Sequence, residues 1–156
     1  MLNHLVVLDV REFLQAKQDP FEQIMAAVAR LNEEDVFELH ATFCPDPMIK
    51  KLMTGGFRHA WLEWEPEHFV VQFYKEATDL PTFHIDNRAL QPPEPLVRTL
   101  DLLSNHKPFE AGEMALEIWN LHAPALLFPE LDERDYQYRL VDEGADLVRV
   151  RIWRDQ

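Results

Sequence analysis

Short apolar runs, separated by polar residues and prolines, recur along this chain in a fixed order. The first, LVVLD from Leu5 to Asp9, is too short for a helix and is bounded by polar groups, so it predicts a strand. Asp19 and Pro20 then supply a cap and a first helical residue. Phe21, Ile24, Met25, Val28 and Leu31 follow at helical spacing and predict one buried stripe. VFELHAT (36–42) predicts a second strand, and a second helix is expected from Pro45 through Leu52. FRHAWLEW (57–64) and HFVVQFY (68–74) predict two closing strands around Glu65-Pro66-Glu67.

The same order returns in the second half. TFHID (82–86) is a strand, and Pro93-Glu94-Pro95 opens a helix whose stripe is Leu96, Leu100 and Leu103. Gly112 turns the chain into MALEIW (114–119). A second helix is expected from Pro124 through Leu131, and the strands YQYRLV and LVRVRIW flank the turn Asp142 to Asp146. The alternation in VRVRIW predicts one buried sheet face and one that is wet or paired.

These halves align. Asp9 and Arg11 match Asp86 and Arg88 at an offset of 77 (86 − 9), while Glu38/Glu117, Pro45/Pro124, Phe57/Tyr136, Val71/Val150 and Phe73/Ile152 match at 79 (117 − 38). Apolar and polar classes agree without a gap over the second stretch, which is the signature of an internal duplication. Two domains follow, 1–76 and 83–156, joined by a linker at Glu76 to Thr82. Each reads β-α-β-α-β-β, an α+β fold in which a mixed four-stranded sheet carries both helices on one face as a two-layer α/β sandwich. A unit of this size has a marginal core, so the copies are expected to lean on each other as a pseudo-dimer with an approximate two-fold axis. The sequence leaves open a monomeric pseudo-dimer or a homo-oligomer.

Composition narrows the function classes. The chain has 28 acidic against 15 basic residues and a net charge of −13. The charge is shared, −6 over residues 1–78 and −7 over 79–156. Nucleic-acid binders need clustered Lys and Arg to neutralise phosphates. Here there is only Lys50-Lys51 and the spaced Arg149, Arg151 and Arg154, so no nucleic-acid partner is expected. No apolar run approaches a membrane span, and MLNHLVVLDVREF lacks the basic and apolar regions of a signal peptide. With one cysteine, Cys44, no intramolecular disulfide forms, which fits a reducing compartment. The expectation is a cytoplasmic protein without a membrane partner.

The segment IDNRALQPPEPLVRTL resembles the start of SirA/TusA-like sulfur carriers. Their pattern is a strand ending in Leu-Asp, a short loop, then Cys-Pro-x-Pro at the first helix. Pro93-Glu94-Pro95 matches the Pro-x-Pro portion, and Pro92 stands where the family has its cysteine. In the first copy the loop is longer and only Pro20 matches. A closer resemblance is to domain-of-unknown-function family 2249, with LD-x-R, a Pro-rich helix start, a central His-x-Pro and a final alternating strand. The second copy shows Asp86, Arg88, Pro92 to Pro95, His122-Ala123-Pro124 and Val148 to Ile152. The first shows Leu8, Asp9, Arg11 and Pro45, with Phe43 where His122 falls. The resemblance implies the SirA/TusA-like fold, repeated in tandem. It does not carry the sulfur chemistry over, because a carrier needs a thiol at the helix N-terminus, where the dipole stabilises a thiolate, and proline has none.

Candidate chemistry is sparse. Cys44 is the candidate reactive thiol. The string CPDP superficially matches Cys-Pro-x-Pro but falls at the wrong helix, and a small, partly buried thiol is the simpler account. His122 is a candidate metal or anion ligand, set against a surface histidine in a turn. His40, His59, His68 and His84 lie on different strands, so any site they form needs tertiary convergence. Asp9 with Arg11 and Asp86 with Arg88 are candidate ligand-binding pairs, set against Asp capping backbone N–H groups and pairing with its own Arg. Trp61, Trp64, Trp119 and Trp153 are expected in the core rather than on a partner surface. No catalytic residue, cofactor or metal is specified by any motif. The function expected is a binding or accessory protein, with a protein partner or small-molecule ligand. The alternatives are a sulfur-transfer or redox carrier using Cys44, and a metal-binding protein using His122.

Overall fold

The computed structural model describes residues 3–156. Residues 1 and 2, where the first expected domain and the N-terminal segment begin, lie outside the described residues. The chain divides between Asp79 and Leu80 into two compact units.

In the first unit β1 (His4–Asp9) pairs in parallel with β2 (Asp35–Ala41), which pairs antiparallel with β4 (His68–Tyr74); β4 pairs in turn with β3 (Arg58–Glu65). The sheet order is β1-β2-β4-β3. Strand alternation sends Phe37, Leu39, Ala41, Val71 and Phe73 to one face. There they join Ile24 of α2 (Phe21–Ala29) and Ile49 and Leu52 of α3 (Asp46–Thr54) in one buried cluster. The helices therefore share one face of the sheet.

The second unit repeats the plan. Its sheet runs β5 (Thr82–Asp86), β6 (Ala115–Asn120), β8 (Leu147–Trp153), β7 (Gln137–Gly144), with the same parallel and antiparallel pairings. Register repeats too. Phe37 faces Phe73, and Leu116 faces Ile152, both pairs shifted by 79. Leu102 and Leu103 of α4 (Glu94–Asn105) and Leu127 and Leu131 of α6 (Leu127–Glu133) are buried. The α+β two-layer repeat read from the sequence is the fold.

Several details differ from the sequence reading. Each unit has one further short helix, α1 (Arg11–Gln15) after the first strand and α5 (Lys107–Glu110) after α4. Both are too short to show helical periodicity; Phe13 and Leu14 of α1 pack on the first core. Thr82 is strand rather than linker and is fully buried. Pro124 does not begin α6; it opens a turn in which the Leu127 N–H donates to its carbonyl, 2.9 Å away. Asp19 does accept the Phe21 N–H at 2.9 Å, but Pro20 is the cap residue rather than the first helical one. In the apolar stripes Phe21 is exposed, and Leu31 lies beyond the end of α2. Thr99 and Leu102 join Leu103 inside. Gly112 takes φ 72°, and a Cβ there would stand 2.6 Å from the Arg154 carbonyl oxygen, so only glycine fits.

Trp119 is in the interior as expected, but Trp61 and Trp64 are exposed at 41% and 36%. They lie on β3, an edge strand of its sheet, where less chain packs over them. Trp61 leans on Phe69 with ring centroids 5.7 Å apart. Among the described residues no helix is long and apolar enough to cross a membrane.

Candidate functional site

The sheet face away from the helices carries the polar chemistry of each unit. In the first, parallel pairing sets Asp9 beside His40, and Val7 beside Glu38. Antiparallel pairing sets Glu38 opposite Gln72, and His40 opposite Val70. His68, two residues from Val70, is then the diagonal neighbour of His40 on the same face. The side chains use this arrangement fully. Gln72 Nε2 donates to Glu38 Oε1 at 2.8 Å, Glu38 Oε2 meets His40 Nε2 at 2.8 Å, and His40 Nδ1 meets His68 Nε2 at 2.8 Å. The His40 and Glu38 side chains are 19% and 14% exposed. Burial pushes the His68 pKa down, reinforced by the nearby Arg11 and His40, while Asp9 and Glu65 oppose the shift.

The corresponding face of the second unit reuses the frame. Glu117 occupies the Glu38 position and Trp119 the His40 position. Trp119 Nε1 donates to Glu117 Oε2 at 2.9 Å, so in both units a ring nitrogen meets the carboxylate two residues earlier on the strand. Around it the chemistry changes. Leu147 replaces His68, and Arg149 replaces Val70. Arg149 Nη1 donates to the same Glu117 oxygen at 3.0 Å, and its Nε reaches Glu143 at 3.4 Å. Arg88 and Arg149 lie against the Trp119 ring, 5.6 and 5.5 Å from its centroid. His84 is fully buried, 3.6 Å from Glu117. Desolvation, with Arg149 and Arg151 adding to it, pushes its pKa down to about 3. The His84 ring is therefore neutral at pH 7.

Both Asp-x-Arg motifs adopt one geometry. The Arg11 backbone N–H donates to Asp9 Oδ1 at 3.0 Å, while its Nε and Nη2 reach the same carboxylate at 3.0 and 2.7 Å. Arg88 repeats this on Asp86 at 3.1, 2.9 and 2.8 Å. The hydrogen bonds from Arg11 hold the Asp9 pKa down at about 2. Burial raises that of Asp86, but the Arg88 bonds outweigh it and the net shift is downward. One residue after each Asp, a backbone N–H bonds back to the second strand, Val10 to the His40 carbonyl at 3.0 Å and Asn87 to the Trp119 carbonyl at 2.8 Å. The motif is thus a strand-end clasp, an Asx-type turn closed by a bidentate ion pair. It stands beside the Glu–His and Glu–Trp pairs rather than apart from them.

A family model described as an uncharacterized conserved protein (DUF2249) matches the chain twice, at residues 7–75 and 84–154. The chain belongs to that family. No curated protein and no solved structure matches it. Each DUF2249 segment begins within the strand that leads into an Asp-x-Arg clasp and ends one residue after the last strand.

The other sequence candidates lie elsewhere. Cys44 is in the loop before α3, its Sγ 3.6 Å from Asp46 Oδ1. Burial, then the Asp46 carboxylate, push its pKa up to about 11. His122 is exposed in the loop after β6. Among the described residues no three His, Cys, Asp or Glu side chains converge on a geometry that holds a metal ion. Sequence reasoning did not single out Glu38, Gln72, Glu117 or Arg149. The signal available was the repeat itself, which pairs Glu38 with Glu117.

Proposed function

We propose that this DUF2249 protein is a cytoplasmic binding or accessory protein made of two SirA/TusA-like domains that perform no sulfur transfer. Apart from the short helices α1 and α5, each unit has the β-α-β-α-β-β order and mixed four-stranded sheet expected of a SirA/TusA-like domain, which supports that fold assignment. One observation carries the reading. The only thiol, Cys44, lies beside a carboxylate and titrates near 11, so little of it is thiolate at pH 7. Thiolate, not thiol, is the nucleophile. The helix start that holds sulfur in the resembling carriers has Pro92 and Pro93 instead. The partner or small ligand is met at the Asp-x-Arg corners, Asp9–Arg11 and Asp86–Arg88, where each Arg is fixed in direction by its own Asp.

The test is alkylation of the whole protein by iodoacetamide at pH 7, followed by intact mass. Cys44 is expected to react more slowly than free cysteine, and Asp46→Asn to accelerate it several-fold by removing the adjacent negative charge. Reaction far faster than free cysteine in the wild type sinks the reading and restores the thiol carrier. A metal-binding role through His122 predicts stoichiometric metal in the purified protein, which elemental analysis reads directly; a binding protein without metal chemistry predicts none.

A further inference from the structure

The first unit contains three titratable groups in hydrogen-bonded series, Glu38, His40 and His68, and nothing in the proposed function uses the series. Its directionality follows from donor and acceptor counts. A neutral imidazole has one N–H and one bare nitrogen. Glu38 Oε1 is occupied by Gln72, and Oε2 accepts from His40 Nε2–H. His40 Nδ1 is then the bare nitrogen and accepts from His68 Nε2–H. That leaves His68 Nδ1 as the basic end of the chain.

We propose that Glu38, His40 and His68 form a proton-binding relay that takes up a single proton as a unit. The ligand is a proton, delivered to His68 Nδ1 by water or by an acidic O–H group. The new N–H bond forms at His68 Nδ1. His68 gives its Nε2 proton to His40 Nδ1, and His40 becomes an imidazolium with its charge against the Glu38 carboxylate. The donor leaves as its conjugate base. Both hydrogen bonds survive, with His40 Nδ1–H now donating to His68 Nε2. A second proton would fill both nitrogens that face each other across 2.8 Å and set two cations in contact, so the pair resists it.

The surroundings fit one charge rather than two. Asp9 and Glu65 favour protonation of His68, while Arg11 opposes it. These groups come from β1, β3 and α1, and Gln72 of β4 is uncharged. The second unit has no such relay, since Trp119 and Leu147 stand in the two histidine positions. The inference is independent of how Cys44 behaves.

The relay is tested by following the ring nitrogens of the whole protein by NMR through a pH titration, with His40→Gln and His68→Gln to assign the signals. Expected is a first step in which His40 becomes imidazolium while His68 changes from the Nε2–H to the Nδ1–H tautomer. The second step should come more than about 1 pH unit lower, as for any strongly coupled pair. Glu38→Gln should move the first step to lower pH. Two histidines that titrate independently, with no tautomer change on His68, overturn the relay. The wild-type titration decides the matter even if a variant fails to fold.

Discussion

Glu38 and Glu117 occupy one position in two copies of one fold, and each accepts a hydrogen bond from a ring nitrogen two residues on. In the first unit the ring is His40, which passes the contact on to a second histidine. In the second it is Trp119, fully buried, and the carboxylate is locked by Arg149. The backbone frame and the clasp beside it are the same. One copy has two titratable rings at this place, and the other fills it with an indole that two guanidinium groups approach. The two copies share the backbone geometry, and a few side chains set the chemistry at that place.

This contrast predicts unequal costs. Glu117→Ala strands the buried Arg149 with Glu143 alone and leaves the Trp119 N–H without its acceptor. Breaking a buried pair in this way typically costs about 3–5 kcal/mol. Glu38→Ala, at a carboxylate 14% exposed against 11% for Glu117 but bonded to Gln72 and His40 rather than to a guanidinium, should cost about 1–3 kcal/mol. Hydrogen exchange resolved by unit measures both. Equal losses would mean that the carboxylates are equivalent after all.

The pH dependence should differ as well. His84 has its folded pKa below the unfolded value, so the unfolded chain binds more protons between pH 6.5 and about 3. The His84 contribution to second-unit stability is therefore fully present above 6.5 and is lost as pH drops through that window. His84→Gln should flatten the fall. Asp9 also has a lowered folded pKa, and its contribution is lost only between 3.8 and about 2. His68, shifted down in the same sense, adds a slope of the same sign in the first unit below 6.5. Acid unfolding followed unit by unit should show the second copy weakening first.

A third contrast is in the turn before the second strand. Gly112→Ala forces both a left-handed alanine and a clash with the Arg154 carbonyl, a strain of about 1–3 kcal/mol. The first copy has Asn32 and Glu33 there, so an alanine at Glu33 should be nearly silent in thermal denaturation. The smallest effect concerns the clasps. Arg11 is more exposed than Arg88, at 36% against 26%, and it is Arg88 whose guanidinium lies over the Trp119 ring. Arg11→Ala should cost about 0–1 kcal/mol, as exposed ion pairs do. Arg88→Ala should cost more, because it also uncovers one side of Trp119.

Much of this was legible in the sequence, for identifiable reasons. The offset of 79 survives from Phe37/Leu116 to Phe73/Ile152 because the paired strands keep a common register, and register tolerates no slip when one face is buried. Asp-x-Arg was visible because its partners are two residues apart. The Glu–His–His series was not, because His40 and His68 are 28 residues apart and meet only through the antiparallel register of β2 and β4. Arg149 lies on the face of an alternating strand that the pattern left as wet or paired. Pairing with Glu117, which no local spacing reveals, put it inside. α1 and α5 were missed because a helix of five or four residues has no period to read.

The most direct test of the account is whether sulfur loads onto this protein. Incubation with a cysteine desulfurase and cysteine, followed by intact mass, is predicted to leave the mass unchanged. Gain of about 32 Da on the whole chain, the mark of a persulfide on its single thiol Cys44, would contradict it.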